Sequence, residues 1–253
     1  WSQVLHLDQV GMADHFFDLG GHSLLATQVI SRVAQELDLE VPLALLFEHS
    51  TLHAFTQAVS ALQGHRAAPI APVDRNQPLQ LSFAQERQWF LWQLEPHSSA
   101  YHIPMALRLR GELDLQALED SFNLLVQRHE SLRTRFHELN DGTVCQRITP
   151  ASIACCPLTL LTVSADDLPH AVQTAAQYTF DLAQEDPCRA WLFKVDDDHH
   201  LLLILMHHIA SDGGSIAPLL RDLAEAYNAR AQNRVPAWRP LAVQYADYTL
   251  WQQ

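Results

Sequence analysis

The chain has 253 residues and carries 29 acidic against 16 basic side chains, a formal net charge of −13. That length suits one large domain, or a small domain joined to a medium one. With so few Lys and Arg and no basic cluster, nucleic acid is not expected as a partner, because phosphate neutralisation needs clustered cations.

No apolar run reaches the ~18–20 residues of a membrane-spanning helix, so no membrane is expected as a partner. The opening WSQVLHLDQVG is neither a signal nor a transit peptide. It begins at Trp1 on what reads as the end of an amphipathic helix, which makes a fragment with a trimmed first helix the expectation. Cys145, Cys155, Cys156 and Cys188 fit neither a metal-ligand spacing nor a secreted disulfide framework. No metal is therefore expected, and a reducing cytoplasm is the default compartment.

Residues 1–62 read as a small all-α bundle of four helices. One helix starts at Ser23 after the Gly20-Gly21 turn, with Leu25, Val29, Ile30, Val33 and Leu37 recurring at helical spacing. Val41-Pro42 ends it, a short helical turn follows around Leu43 to Phe47, and Ser50 or Thr51 can cap the last helix. Residues 63–78 hold three prolines and small residues without periodicity, as linkers do.

Residues 79–253 mix strands and helices and read as α/β. LSFAQERQWFLWQL has helical spacing, and Met105 to Arg110 alternates like a half-buried strand. Asp114 can cap a helix whose apolar stripe is Leu118, Phe122, Leu125 and Val126. Trp191 to Val195 and Leu201 to His208 flank an Asp-Asp-Asp-His turn, which predicts a hairpin, and a further helix runs from about Ile216.

Two short stretches carry chemistry. In DHFFDLGGHSLLA, residues 14–26, Ser23 can be read as no more than a helix cap. A serine nucleophile beside His22 is disfavoured, since the second glycine of a nucleophile elbow is lacking. The stretch resembles the phosphopantetheine attachment motif of peptidyl carrier proteins. By that resemblance Ser23 carries a 4′-phosphopantetheine arm whose thiol holds an aminoacyl or peptidyl group, and a phosphopantetheinyl transferase installs it. A helix N-terminus suits the anionic phosphodiester, and Gly20 and Gly21 would let the modifying enzyme come close.

The second stretch, Met206 to Gly213, follows the apolar run LLLIL. Adjacent histidines on a strand point to opposite faces and make a poor metal pair. If the strand runs to its end, one faces the packing side and the other a cleft. A bland reading makes both the polar end of a strand.

MHHIASDG resembles the HHxxxDG motif of condensation domains, which have a chloramphenicol acetyltransferase-like fold. Three more family motifs are matched in order by LSFAQERQWFLWQLEP, by Arg128 to Phe136 and by Tyr245 to Gln252. The resemblance makes His208 the functional histidine, His207 its structural neighbour, Asp212 a residue that holds shape and Gly213 the source of the turn. It also implies a non-ribosomal peptide synthetase, with residues 1–62 as carrier and 79–253 as the N-terminal lobe of a condensation domain whose C-terminal lobe is absent. An adenylation domain and a downstream acceptor carrier would be the partners. The lone fragment is expected to be inactive without the second lobe.

Gly214 departs from the pattern, standing where many relatives have a bulky aromatic residue. An epimerisation domain, a dual epimerising and condensing domain, a non-catalytic docking or recruitment module and an acyltransferase using soluble coenzyme A are the alternatives. The wording of QERQWFLWQLEP and SAYHIP leans toward a D-configured donor.

Overall fold

A computed structural model describes residues 1–62 and 69–252, which divide into two units, Trp1–Pro69 and Ile70–Gln253. The first part of the expected linker, residues 63–68, lies outside the described residues. No helix among the described residues is long and apolar enough to cross a membrane.

The first unit holds α1 (Ser2–Leu5), α2 (Ser23–Leu37), α3 (Ala44–Glu48) and α4 (Leu52–Ala61), of which α1 is a single turn. Its core gathers one stripe from each helix: Val4, then Ala26, Val29 and Ile30, then Leu46, then Phe55 and Val59, all closed over the fully buried Phe16. Thr51 is the residue that caps α4, accepting from the Ala54 amide. Ser50 turns its hydroxyl back onto the carbonyls of Leu46 and Phe47 instead.

In the second unit a four-stranded sheet runs in the order β2 (His102–Arg110), β7 (His199–His207), β6 (Cys188–Lys194), β5 (Leu158–Thr162). β6 and β7 form the antiparallel hairpin that the turn predicted, β2 pairs antiparallel with β7, and β5 joins β6 in parallel. The pleat sends alternate side chains to opposite faces. Leu202, Ile204 and Met206 share one face with Cys188, Ala190 and Leu192, beneath α6 (Leu115–Arg128) and α8 (Ile216–Ala231). Leu203, Leu205, Trp191 and Phe193 share the other, with Trp89 of α5 (Phe83–Leu94) and Ala175 of α7 (Leu168–Ala176).

Burial on both faces explains why β7 reads as an unbroken apolar run rather than an alternation. Asp114 caps α6 as expected, accepting from the Ala117 amide.

A second sheet, β1 (Leu79–Gln80), β4 (Val144–Ile148) and β3 (Thr134–Glu138), is antiparallel throughout. A 3₁₀ turn at Glu130–Arg133 leads into β3, and α9 spans Tyr245–Trp251.

Part of the stretch expected as linker is tied to this unit. Arg75 bridges Glu130 at 2.8 Å and Asp247 at 2.6 Å, and the Val73 amide donates to Asp247. Asp247 is 2% exposed and also accepts from the Gln244 amide. Proline-rich composition signals loss of regular structure, and a chain without regular structure can still be docked by its side chains.

Candidate functional site

In the first unit, the loop before α2 is held by backbone bonds, by the Asp14 carboxylate accepting from the Gly11 amide, and by the buried Phe16 ring. The Phe16 amide donates to the Ser50 carbonyl, the Leu52 amide to the Asp14 carbonyl, and the Gly21 amide back to Phe16. Gly20 has φ +91°, the region where a Cβ is disfavoured. At Gly21 a Cβ would press into the ring and carbonyl of Phe16. Gly20 is therefore favoured by the loop's backbone conformation and Gly21 by its packing, reasons distinct from access for a modifying enzyme.

Ser23 is the first helical residue of α2, and the N-cap position belongs to His22. Its hydroxyl is thus released from the capping role that a serine at a helix start commonly takes. The residue is exposed, its hydroxyl has no hydrogen-bond partner among the described residues, and no acidic side chain occupies the first turn of α2. An exposed hydroxyl at the positive end of a 15-residue helix fits a covalently attached phosphodiester in both reach and charge.

In the second unit, His207 is the last residue of β7 and His208 the first of the turn after it, one buried and the other exposed. His207 is 2% exposed and lies across the ladder from His102, with ring centroids 5.6 Å apart. Its Nδ1 accepts from the Ile209 amide at 3.1 Å, which leaves the proton on Nε2. Burial, reinforced by the neighbouring His102 and His208, pushes its pKa down to about 3, so it is neutral at pH 7.

His208 is exposed. Its amide donates to the Tyr101 carbonyl at 2.8 Å, while its ring has no hydrogen-bond partner among the described residues. The imidazole lines a cleft of about 350 Å³ with Gln85 and Arg87 of α5, Ser131 and Tyr245.

Asp212 sits on the same cleft and is bound to Ser215, whose amide and hydroxyl donate to its Oδ1 at 3.0 and 2.9 Å. It thereby fixes the turn into α8. Gly213 lies in that turn, but it does not adopt a positive φ, and a Cβ there would meet nothing. Gly213 thus lies in the turn, as expected, at a backbone conformation that other residues could also adopt.

The four motifs converge around this cleft. Ser82 and Gln85 form a capping box at the start of α5, the Ser82 hydroxyl meets the Tyr245 hydroxyl at 2.9 Å, and Gln85 donates to the buried Gln146. Glu130, beside Ser131, takes the Arg75 bridge that Asp247 shares. His102 and Arg75 are the contributors that motif reading misses. The expected strand, Met105 to Arg110, begins three residues after His102, so extending it to its observed start at His102 is what would have set this ring opposite the end of β7.

A family model of the condensation domain matches residues 75–253, and one of the phosphopantetheine attachment site matches residues 1–59. The chain is 46% identical over its whole length to a dimodular nonribosomal peptide synthase of Bacillus subtilis, and 41% identical to malpibaldin synthetase of Mortierella alpina. It spans 11% and 5% of the length of those relatives. Among solved structures, the X-domain from teicoplanin biosynthesis superposes with a TM-score of 0.67 at 38% identity, over 73% of this chain and 40% of that one. The first condensation domain of the calcium-dependent antibiotic synthetase, in complex with a substrate analogue, gives 0.58 at 25% identity, over 64% and 40%. A multidomain carrier plus condensation-type α/β architecture follows, and the chain belongs to the condensation-domain family of non-ribosomal peptide synthetases, with a phosphopantetheine attachment domain ahead of it.

Proposed function

We propose that this chain is the donor-side segment of a peptide-bond-forming module, with Ser23 as the attachment residue and His208 as the catalytic histidine. The observation that carries the reading is the exposed His208 ring, free of partners among the described residues, at a cleft onto which all four motifs converge. Residues 1–62 serve as carrier and 79–253 as the N-terminal lobe of a chloramphenicol acetyltransferase-like fold, with 70–78 docked on that lobe through Arg75.

Phosphopantetheine, when bound, supplies a flexible thiol that holds the acyl group as a thioester. Ser23 Oγ would hold the phosphodiester, stabilised by the free amides of the first turn of α2. At the second site the His208 imidazole would orient the acceptor amine, or take the proton that the amine sheds as it joins the acyl carbonyl and the thiol departs. Such proton transfer contributes roughly 10²–10⁴-fold. His207, neutral and buried, cannot trade protons near pH 7 and positions the strand end. Asp212 acts through Ser215 on the turn.

The partners in this reading are a phosphopantetheinyl transferase, an adenylation domain and a downstream acceptor carrier, with aminoacyl or peptidyl substrates, a D-configured donor residue and a cytoplasmic setting. The lone segment is expected to be inactive, since it corresponds to 40% of the solved condensation-domain chain. The test is therefore made in the complete synthetase: His208→Ala should reduce product by at least about 100-fold while leaving loading of Ser23 intact.

A second reading, a non-catalytic recruitment module, draws on the likeness to the teicoplanin X-domain, which has been solved in complex with OxyB. Undiminished product from His208→Ala would favour it. The intact HHxxxDG stretch speaks for catalysis.

A further inference from the structure

Behind the loop that carries Asp212 lies a second cavity of about 280 Å³. Ser131, Ala210, Ser211 and Ser215 line both this cavity and the cleft at His208, so the two spaces share a wall. We propose that the cavity is a subsite for the apolar side chain of an amino acid being condensed at His208, and that Gly214 sets the size it admits. This rests on the reading of His208 as the reaction centre.

Four observations carry it. The inner surface is apolar, formed by Leu132, Met206 and Leu219, all of them buried. The one titratable group in the wall, His129, is already engaged by Asp222 at 2.9 Å, and Asp222 is held in turn by Arg128. A charged substrate side chain would find no free counter-charge there, whereas an aliphatic or aromatic one would be covered. Size agrees too: at about 280 Å³ the cavity lies at the small end of ligand pockets, which run from about 300 to 1,000 Å³, and has ample room for one side chain. Finally, Gly214 lines the cavity without adopting a positive φ, unlike Gly20, Gly111 and Gly142. Its backbone can therefore carry a side chain, and a larger residue at this wall position is the direct way to vary the room that the cavity offers.

The side chain could come from the residue that bears the amine or from the one that bears the acyl group. Isotope-labelled full-length chain would be titrated, with amide shifts recorded, using leucinamide for the amine source, the N-acetyl-leucyl thioester of N-acetylcysteamine for the acyl source, and glycinamide as the side-chain-free control. The expected result is a saturable shift of the Ser211, Gly214 and Leu219 amides by one of the two leucyl probes and none by glycinamide. Gly214→Trp should weaken that binding at least tenfold, with Gly214→Ala between. If the Trp variant loses its dispersed spectrum, Gly214→Leu takes its place.

Equal response to glycinamide, unchanged affinity in the filled variant, or shifts by neither leucyl probe would overturn the proposal. Neither carrier loading nor turnover enters this readout. Leucyl shifts beside a failed His208 assay would leave a side-chain site and remove its link to condensation, whereas missing shifts beside an active synthetase would remove the subsite alone.

Discussion

Acid should loosen the second unit through His207 before its carboxylates are protonated. In the unfolded chain a histidine binds its proton near pH 6.5, whereas in the fold burial holds His207 unprotonated down to about 3. Between those values the unfolded state binds more protons, so stability falls as pH falls. Linkage with these two values gives a loss of about 0.2 kcal/mol at pH 7 and about 2 kcal/mol at pH 5, each relative to a fully neutral ring.

The perturbation is His207→Asn, whose side-chain oxygen can still accept from the Ile209 amide but does not titrate. Urea unfolding followed by tryptophan fluorescence reports mainly this unit, which contains Trp89, Trp92, Trp191, Trp238 and Trp251. With a slope of about 2 kcal/mol per molar urea, the wild-type midpoint should drop about 1 M further than the variant's between pH 7 and pH 5. Other histidines contribute equally to both proteins and cancel. Parallel pH dependences in the two would refute the buried, neutral His207 and with it the division of labour between the two histidines.

Asp247→Asn should destabilise the same unit, because the buried carboxylate accepts from Arg75 and from the Val73 and Gln244 amides. Breaking a buried pair costs roughly 3–5 kcal/mol. Arg75 is 29% exposed, which reduces the expectation to about 2–3 kcal/mol, readable as a urea-midpoint shift. Burial acts to raise the Asp247 pKa, yet the Arg75 bond and the two amides outweigh it and the net shift is downward. Its contribution should therefore be present above the ordinary carboxylate range and fade as pH falls below it, and the variant should lose that acid dependence. In the first unit, Gly21→Ala should cost at least about 1–3 kcal/mol through overpacking against Phe16, a large share of the stability of so small a domain. Circular dichroism of the isolated range 1–62 would show a lowered melting temperature.

Local rules in the sequence carried far where partners are close along the chain. The β6–β7 hairpin, the Asp114 cap and the stripe of α6 all depend on residues a few positions apart. Strand pleating was expected to set His207 and His208 on opposite faces, but β7 ends at His207 and His208 opens the following turn, so the burial of one and the exposure of the other depend on where the strand stops. What stayed hidden depends on distant partners. β5 finds β6 in parallel across some thirty positions, and the β3–β4 pair holds a buried Gln146 whose need is met by Gln85 and Gln80. Arg75 resembled linker because its two carboxylates lie 55 and 172 positions away. At Ser23, release from capping depends on His22 taking the N-cap place, a one-residue shift that pattern alone does not fix.

The most direct test of the account is the intact mass of this chain after incubation with coenzyme A and a promiscuous phosphopantetheinyl transferase, beside Ser23→Ala. The account predicts a gain of one phosphopantetheine in the wild type and none in the variant. A folded wild type that gains nothing, or a variant that gains as much, would contradict the assignment of Ser23.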